Sequence, residues 1–139
     1  QFANLALSTK PKAKLLLNNK AVALARLGRP EEARQAVRLI SVTDLDGMEA
    51  TYTATQGMIE YRFGHPELGR ALYEKAREIT RRVKNVREEA WSMLFQAREE
   101  RRFDSTAADR LLVEARDKMK GLRARESAVA RRLLEIVSA

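Results

Sequence analysis

The chain has 139 residues, the length of one ordinary domain, and it contains no cysteine and one histidine. These counts exclude disulfides, thiolate metal sites and any metal site that needs two histidines, and they predict no catalytic residues, no metal and no cofactor. The formal net charge is +8, and 45% of the residues are hydrophobic, which is too many for a disordered chain. The longest apolar runs, such as Ala21–Ala25, are far shorter than the roughly 20 residues of a membrane span.

Few glycines and prolines interrupt a sequence rich in Ala, Leu, Arg and Glu, and this composition favours an all-α fold. The first predicted helix spans Lys12 to Leu27. Its apolar residues, from Leu16 to Leu27, recur at the three- and four-residue spacing of one helical face. Gly28 ends this helix in a left-handed conformation, and Pro30 opens the next helix at its first turn.

The same signals return further along the chain. A break at Thr43–Gly47, with Asp44 or Asp46 as the N-cap, precedes a predicted helix from Met48 to Phe63. The turn after this helix and the start of the next one again carry a glycine and a proline. The chain thus predicts a second helix pair built like the first.

A third pair of helices is predicted from Val86 to Arg102 and from Thr106 to about Lys120, with a turn near Asp104–Ser105. Gly121 is predicted to separate this pair from a last amphipathic helix. The apolar face of that last helix carries Val129, Leu133, Ile136 and Val137.

Turn residues recur at a fixed shift of 36 positions, which maps Gly28 onto Gly64 and Pro30 onto Pro66. In this repeat the chain resembles the tetratricopeptide repeat, a helix–turn–helix unit of about 34 residues with small and aromatic residues at set positions. The residues that match those positions in the two units are Ala21, Leu24, Ala33, Val37, Gly57, Gly69, Tyr73 and Ala76.

The third unit departs from the family pattern. Trp91 and Leu94 have the expected spacing, but Phe95 follows where a small residue belongs. By the repeat pattern Trp91 lies between helices, and we expect it in the core rather than at a ligand.

The resemblance implies one domain, residues 1–139, folded as a right-handed α-solenoid of helix–turn–helix repeats with a C-terminal capping helix. Its implied parts are the tail of a preceding repeat (1–11), a first repeat (12–46), a second repeat (47–84), a degenerate third repeat (85–121) and the capping helix (122–139).

Stacked units of this family form a concave groove that receives a peptide or helix of another protein. The resemblance therefore implies a non-enzymatic interaction scaffold, with Ser92, Gln96 and Glu99 in the groove wall of the third unit. We expect Met58 and Tyr61 either to contact the ligand or to be buried. The ligand-binding residues that the resemblance implies are Asn18, Asn19, Val22, Arg26, Thr55, Met58, Tyr61 and Arg62.

Arg26 and Arg62, one repeat apart, either bind an acidic ligand side chain or pair within the protein with Glu60 or Glu99. The chaperone-binding branch of the family grips a C-terminal carboxylate with cations and asparagines on these helix faces. The corresponding positions here carry no cation, because they hold Asn18, Val22 and Thr55. A chaperone tail is therefore disfavoured as the ligand.

The positive charge lies at the two ends of the chain. Residues 1–30 hold six cations and no acid, and residues 116–132 hold seven cations against two acids. Nucleic acid is therefore the alternative partner. Only 6% of the residues are aromatic, however, so few side chains could stack on bases. The basic patch of this alternative comprises Arg123, Arg125, Arg131 and Arg132.

The chain begins at Gln1 rather than Met, which suggests a fragment of a longer protein, and no signal-peptide pattern is visible. We expect a cytoplasmic protein that binds another protein. A homodimer through the exposed faces of the end helices is a further alternative.

Overall fold

A computed structural model describes residues 11–40 and 47–138, and these residues form α-helices joined by short turns, with no β-strand among them. The predicted all-α fold is therefore confirmed for this part of the chain. In chain order the helices are α1 (Pro11–Arg26), α2 (Pro30–Arg38), α3 (Glu49–Arg62), α4 (Pro66–Arg82), α5 (Val86–Glu100) and α6 (Ser105–Ser138).

The turns after α1 and α3 are built as the sequence predicts. Gly28 has a φ of 77° and Gly64 a φ of 83°, in the left-handed region that glycine enters without steric cost. In both turns the residue after the glycine donates its backbone N–H to a carbonyl five residues earlier at 2.9 Å, as in a Schellman motif. Pro30 and Pro66 then begin α2 and α4.

Each helix packs against the next one in the chain, and α3 also contacts both α1 and α5. The first helices of the three hairpins therefore lie side by side, with α3 in the middle. The core between them is built from alanines, larger aliphatic side chains and tyrosines, among them Ala21, Ala25, Ala33, Val37, Ile59, Tyr61 and Tyr73.

Helices α3 and α4 approach each other closely at two glycines. A β-carbon at Gly69 would lie 2.6 Å from the ring of Tyr61, and a β-carbon at Gly57 would lie 2.9 Å from the ring of Tyr73. Each glycine thus leaves room for a tyrosine of the opposite helix. The resemblance implies small residues at both positions, and this close packing gives the physical reason.

The predicted helix break at Gly121 is wrong, because α6 runs without interruption from Ser105 to Ser138. Gly121 is not among the glycines with a positive φ, and nothing lies within 4 Å of the place where its β-carbon would be. A single glycine inside a helix costs only about 1 kcal/mol, which the neighbouring helix formers offset. The boundary at residue 121 and the separate capping helix at 122–139 are therefore corrected to one long helix.

Two further expectations concern the helix starts and faces. Asp44 and Asp46 lie outside the described residues, and the N-cap position of α3 is occupied by Met48. Leu16 and Leu27 were expected on the inner face of α1 but are exposed, because α2 and α3 cover the side of α1 that carries its alanines.

Replacing Gly69 with alanine should lower the free energy of unfolding by about 1–3 kcal/mol, because the new methyl group collides with the ring of Tyr61. The matched control is Gly121→Ala, for which open space and helical backbone lead us to expect a gain of up to about 1 kcal/mol. Urea denaturation followed by circular dichroism measures both changes. A Gly69→Ala protein as stable as the wild type would contradict the close approach of α3 and α4.

Candidate functional site

A groove of about 530 Å³ lies between α1 and α5, and α3 forms its floor together with side chains of α4. The floor consists largely of small or apolar side chains, whereas charged and amide side chains lie on the two walls. A concave apolar site with a few polar groups is typical of ligand-binding regions. The floor residues are Ala50, Ala54, Thr55, Met58, Tyr73 and Ala76.

Most of the residues predicted to bind a ligand line this groove. Helix α1 contributes four of them, which recur at the spacing of one helical face, and α3 contributes two. Both side chains from α3 are largely buried and form part of the floor. The predicted residues that the fold brings together here are Asn18, Asn19, Val22, Arg26, Thr55 and Met58.

Tyr61 and Arg62, also predicted for the ligand, do not line the groove. Tyr61 is 3% exposed and donates its hydroxyl hydrogen to Glu100 Oε2 at 2.5 Å. The Nε of Arg62 lies 2.6 Å from Glu99 Oε1, so the internal pairing with Glu99 is the one that occurs. Both residues therefore hold α3 against α5 instead of facing a ligand.

The wall formed by α5 differs from the prediction. Trp91, expected in the core, is 52% exposed and lines the groove, with Phe95 edge-on to it at a ring distance of 6.2 Å. Ser92 lines the groove as predicted, but Gln96 and Glu99 are buried and point away from it. The four-residue spacing of Trp91 and Phe95 is a sequence signal that places both rings on one face of α5, but it does not say whether that face is covered.

Two polar groups of the α1 wall have no hydrogen-bond or ion-pair partner among the described residues. Asn18 is 3% exposed, and its Oδ1 has no hydrogen-bond partner among the described residues. Arg26 makes no ion pair within residues 11–40 and 47–138, and its guanidinium lies 5.8 Å from the centre of the Phe95 ring. Buried amide oxygens are rarely left without a partner in folded proteins.

A buried network ties α3, α4 and α5 together below the groove. Arg70 Nη2 donates to Glu100 Oε1 at 2.5 Å, and Gln96 Nε2 donates to the Tyr61 hydroxyl at 3.1 Å. Burial by itself raises the pKa of the Glu100 carboxyl, but hydrogen bonds from Arg70 and Tyr61 outweigh burial and hold that pKa below its usual value. Burial and the hydrogen bond to Glu100 raise the pKa of Tyr61, which stays protonated.

The predicted basic patch lies on α6 and outside the groove. Arg123, Arg125 and Arg132 are exposed, and Arg131 belongs to the same helix. Near this patch Arg87 Nη2, at the edge of the groove, lies 2.5 Å from Glu126 Oε1. Arg123, Arg125 and Arg132 do not line the groove, although the patch adjoins its edge through this Arg87–Glu126 pair.

The only histidine, His65, is exposed and its Nδ1 lies 2.9 Å from Glu60 Oε2. Among the described residues there is no group of three or more potential metal ligands, and no helix there is long and apolar enough to cross a membrane.

Comparisons of the chain with protein-family models, with curated proteins and with solved structures found no match.

The lowered pKa of Glu100 predicts acid-sensitive stability. The carboxylate contributes stability above its unfolded-state pKa of about 4.3, and this contribution is lost as the pH falls through the lower folded-state pKa. We expect Glu100→Gln to lower the free energy of unfolding by roughly 1–3 kcal/mol at neutral pH and by less at about pH 3, which lies below the unfolded-state pKa. Urea denaturation at both pH values tests this. Glu114→Gln, at an exposed position of α6, is the control, and an equal loss at both pH values would contradict the assignment.

The exposure of Trp91 can be tested by fluorescence, because it is the only tryptophan in the chain. We expect acrylamide to quench its emission with a constant between those of a buried indole and of free N-acetyltryptophanamide, since 52% of the residue is exposed. Quenching as weak as that of a core tryptophan would contradict the exposure of Trp91 and support the buried position between helices that the sequence predicts.

Proposed function

We propose that this protein is a non-catalytic binding module related to the tetratricopeptide repeat, and that its groove holds a segment of another protein. In this proposal the helix hairpins stack as a right-handed solenoid. The side-by-side arrangement of α1, α3 and α5 supports it, because in that family the first helices of the units line the groove. The repeated turns at Gly28 and Gly64 support it as well.

One observation carries the proposal: an aromatic side chain is left half exposed over an apolar floor. Trp91 and the neighbouring Phe95 stand on one wall, opposite Val22 on the other. Tryptophan is enriched among the residues that dominate the energy of protein interfaces, because it buries a large apolar area. A groove of this composition suits apolar side chains of a protein ligand.

Nucleic acid suits the groove less well. A surface that follows a nucleic-acid backbone carries a row of cations, but the groove has Arg26 at one end and Arg87 at the other, with an apolar floor between them. Arg87 is also already paired with Glu126. A nucleic acid would instead have to use the basic patch on α6, which lies outside the groove lining.

The proposal predicts that the groove selects peptides from a random library. Selection with a bead-bound library of random hexapeptides should enrich binders whose affinity depends on Trp91. We expect Trp91→Ala to raise Kd of the enriched peptides at least about fivefold, as for interface residues that cost more than 1 kcal/mol on truncation. Isothermal titration calorimetry measures the change.

The matched control is Leu68→Ala on α4, since Leu68 is 50% exposed and lies outside the groove. Circular dichroism confirms that both variants keep their helices. Enriched peptides that bind the Trp91→Ala and Leu68→Ala proteins equally well would overturn the groove as the binding site. A library without any binder would overturn the proposed function.

A further inference from the structure

We infer that the groove selects an extended acidic segment, in which a carboxylate pairs with Arg26 and a backbone peptide group bonds to Asn18. This inference rests on the proposed function and adds the chemistry of the ligand. It is carried by two polar groups of α1: Asn18 Oδ1, which has no hydrogen-bond partner among the described residues, and the Arg26 guanidinium, which makes no ion pair there and lies against the ring of Phe95.

Arg26 differs from the equivalent arginine of the next repeat in having no ion pair among the described residues. Its counterpart one repeat later, Arg62, pairs with the buried Glu99 of α5. The position 36 residues before Glu99 is Phe63, so the carboxylate that would neutralise Arg26 by the same arrangement is replaced by an aromatic ring. Arg26 is also exposed and therefore accessible to a ligand. A guanidinium of this kind prefers a carboxylate, which it can bind through two hydrogen bonds.

The charge distribution favours an acidic ligand group at the Arg26 end of the groove and not at the Arg87 end. At the opposite end the second groove cation, Arg87, already has Glu126 as its partner. Glu88 stands beside it, accepting hydrogen bonds from Thr51 at 2.9 Å and from Asn85 at 2.9 Å. A ligand carboxylate there would meet a carboxylate of the protein, whereas beside Arg26 it meets a cation.

Asn18 supplies the second contact. Its side chain is 3% exposed, it lines the groove, and Oδ1 has no partner among the described residues. A buried amide oxygen without a partner costs free energy, which a ligand N–H recovers on binding. A peptide group of a ligand carries both a donor and an acceptor, so it can satisfy an asparagine amide in either orientation.

The distance between Asn18 and Arg26 sets the length of the ligand segment that can reach both. Asn18 and Arg26 lie about two helical turns apart on one face of α1, which corresponds to roughly 12 Å along the helix axis. An extended chain covers that distance in about four residues at roughly 3.3 Å each. Between the contacts the ligand passes Val22, with Met58 in the floor and Trp91 on the opposite wall. We therefore expect an apolar side chain in the middle of the segment.

The experiment uses two random hexapeptide libraries, one with free C-terminal carboxylates and one with C-terminal amides. Each is selected against the wild-type protein, against Arg26→Gln and against the control Arg110→Gln, which changes an exposed arginine of α6. We expect Asp and Glu to be enriched with the wild type and the control but not with Arg26→Gln. Enrichment in the amide library assigns the carboxylate to a side chain, and enrichment only in the free-acid library assigns it to the C terminus.

Affinities of the selected peptides then test both contacts through the emission of Trp91. Arg26→Gln should raise Kd of an acidic peptide about tenfold and leave Kd of its Glu→Gln or amidated analogue unchanged. Asn18→Ala should weaken both peptides by the same factor, because the contact is with the backbone, and thermal denaturation checks that this variant is folded.

The outcomes separate this inference from the proposed function. Peptides that change the Trp91 emission but show no acidic preference, or that bind the Arg26→Gln protein with equal affinity, overturn the carboxylate site and leave the groove as a binding site. Selected peptides that leave the Trp91 emission unchanged overturn the groove itself.

Discussion

The groove depends on the contact of Gly57 and Gly69 with two tyrosines. Tyr73 of α4 can lie against α3 only because Gly57 has no side chain, and Tyr61 of α3 lies against Gly69 for the same reason. Tyr73 thereby reaches the floor of the groove, although it belongs to a second helix of a hairpin. Tyr61 is directed instead to the buried carboxylate of Glu100. The spacing of two helices thus determines what the floor is made of and which groups lie beneath it.

The charged side chains of α3, α4 and α5 are mostly paired within the protein. Arg62 pairs with Glu99, and Arg70 pairs with Glu100, where both carboxylates are buried. A buried carboxylate without a cation is strongly destabilising, so these pairs restrict how the hairpins can shift against each other. Such pairing makes the exceptions informative, since a group left without a partner at a groove is a group available to a ligand.

The same pairing explains why charge alone is a poor guide to the partner. The net charge of +8 suggests a polyanion, but the chain holds its basic excess near its two ends. Among the described residues along the groove, the charges of both signs have hydrogen-bond or ion-pair partners, except for Arg26. In the proposed function, one such cation beside an apolar floor favours a protein segment with a single acidic group and apolar neighbours as the ligand.

The sequence by itself determined the all-α fold and the turns after α1 and α3, and its repeat resemblance indicated the residues of α1 that share one face of the groove. Local chemistry decides these features, because a left-handed glycine, a proline at a helix start and a four-residue spacing act within one or two helical turns. Tertiary structure alone decided that Trp91 faces the groove, that Tyr61 and Arg62 turn inward, and that α6 continues through Gly121. The reason is that these outcomes depend on contacts between helices. They depend on which helix covers each face, on carboxylates of α5 that lie far from α3 in the sequence, and on the open space around Gly121.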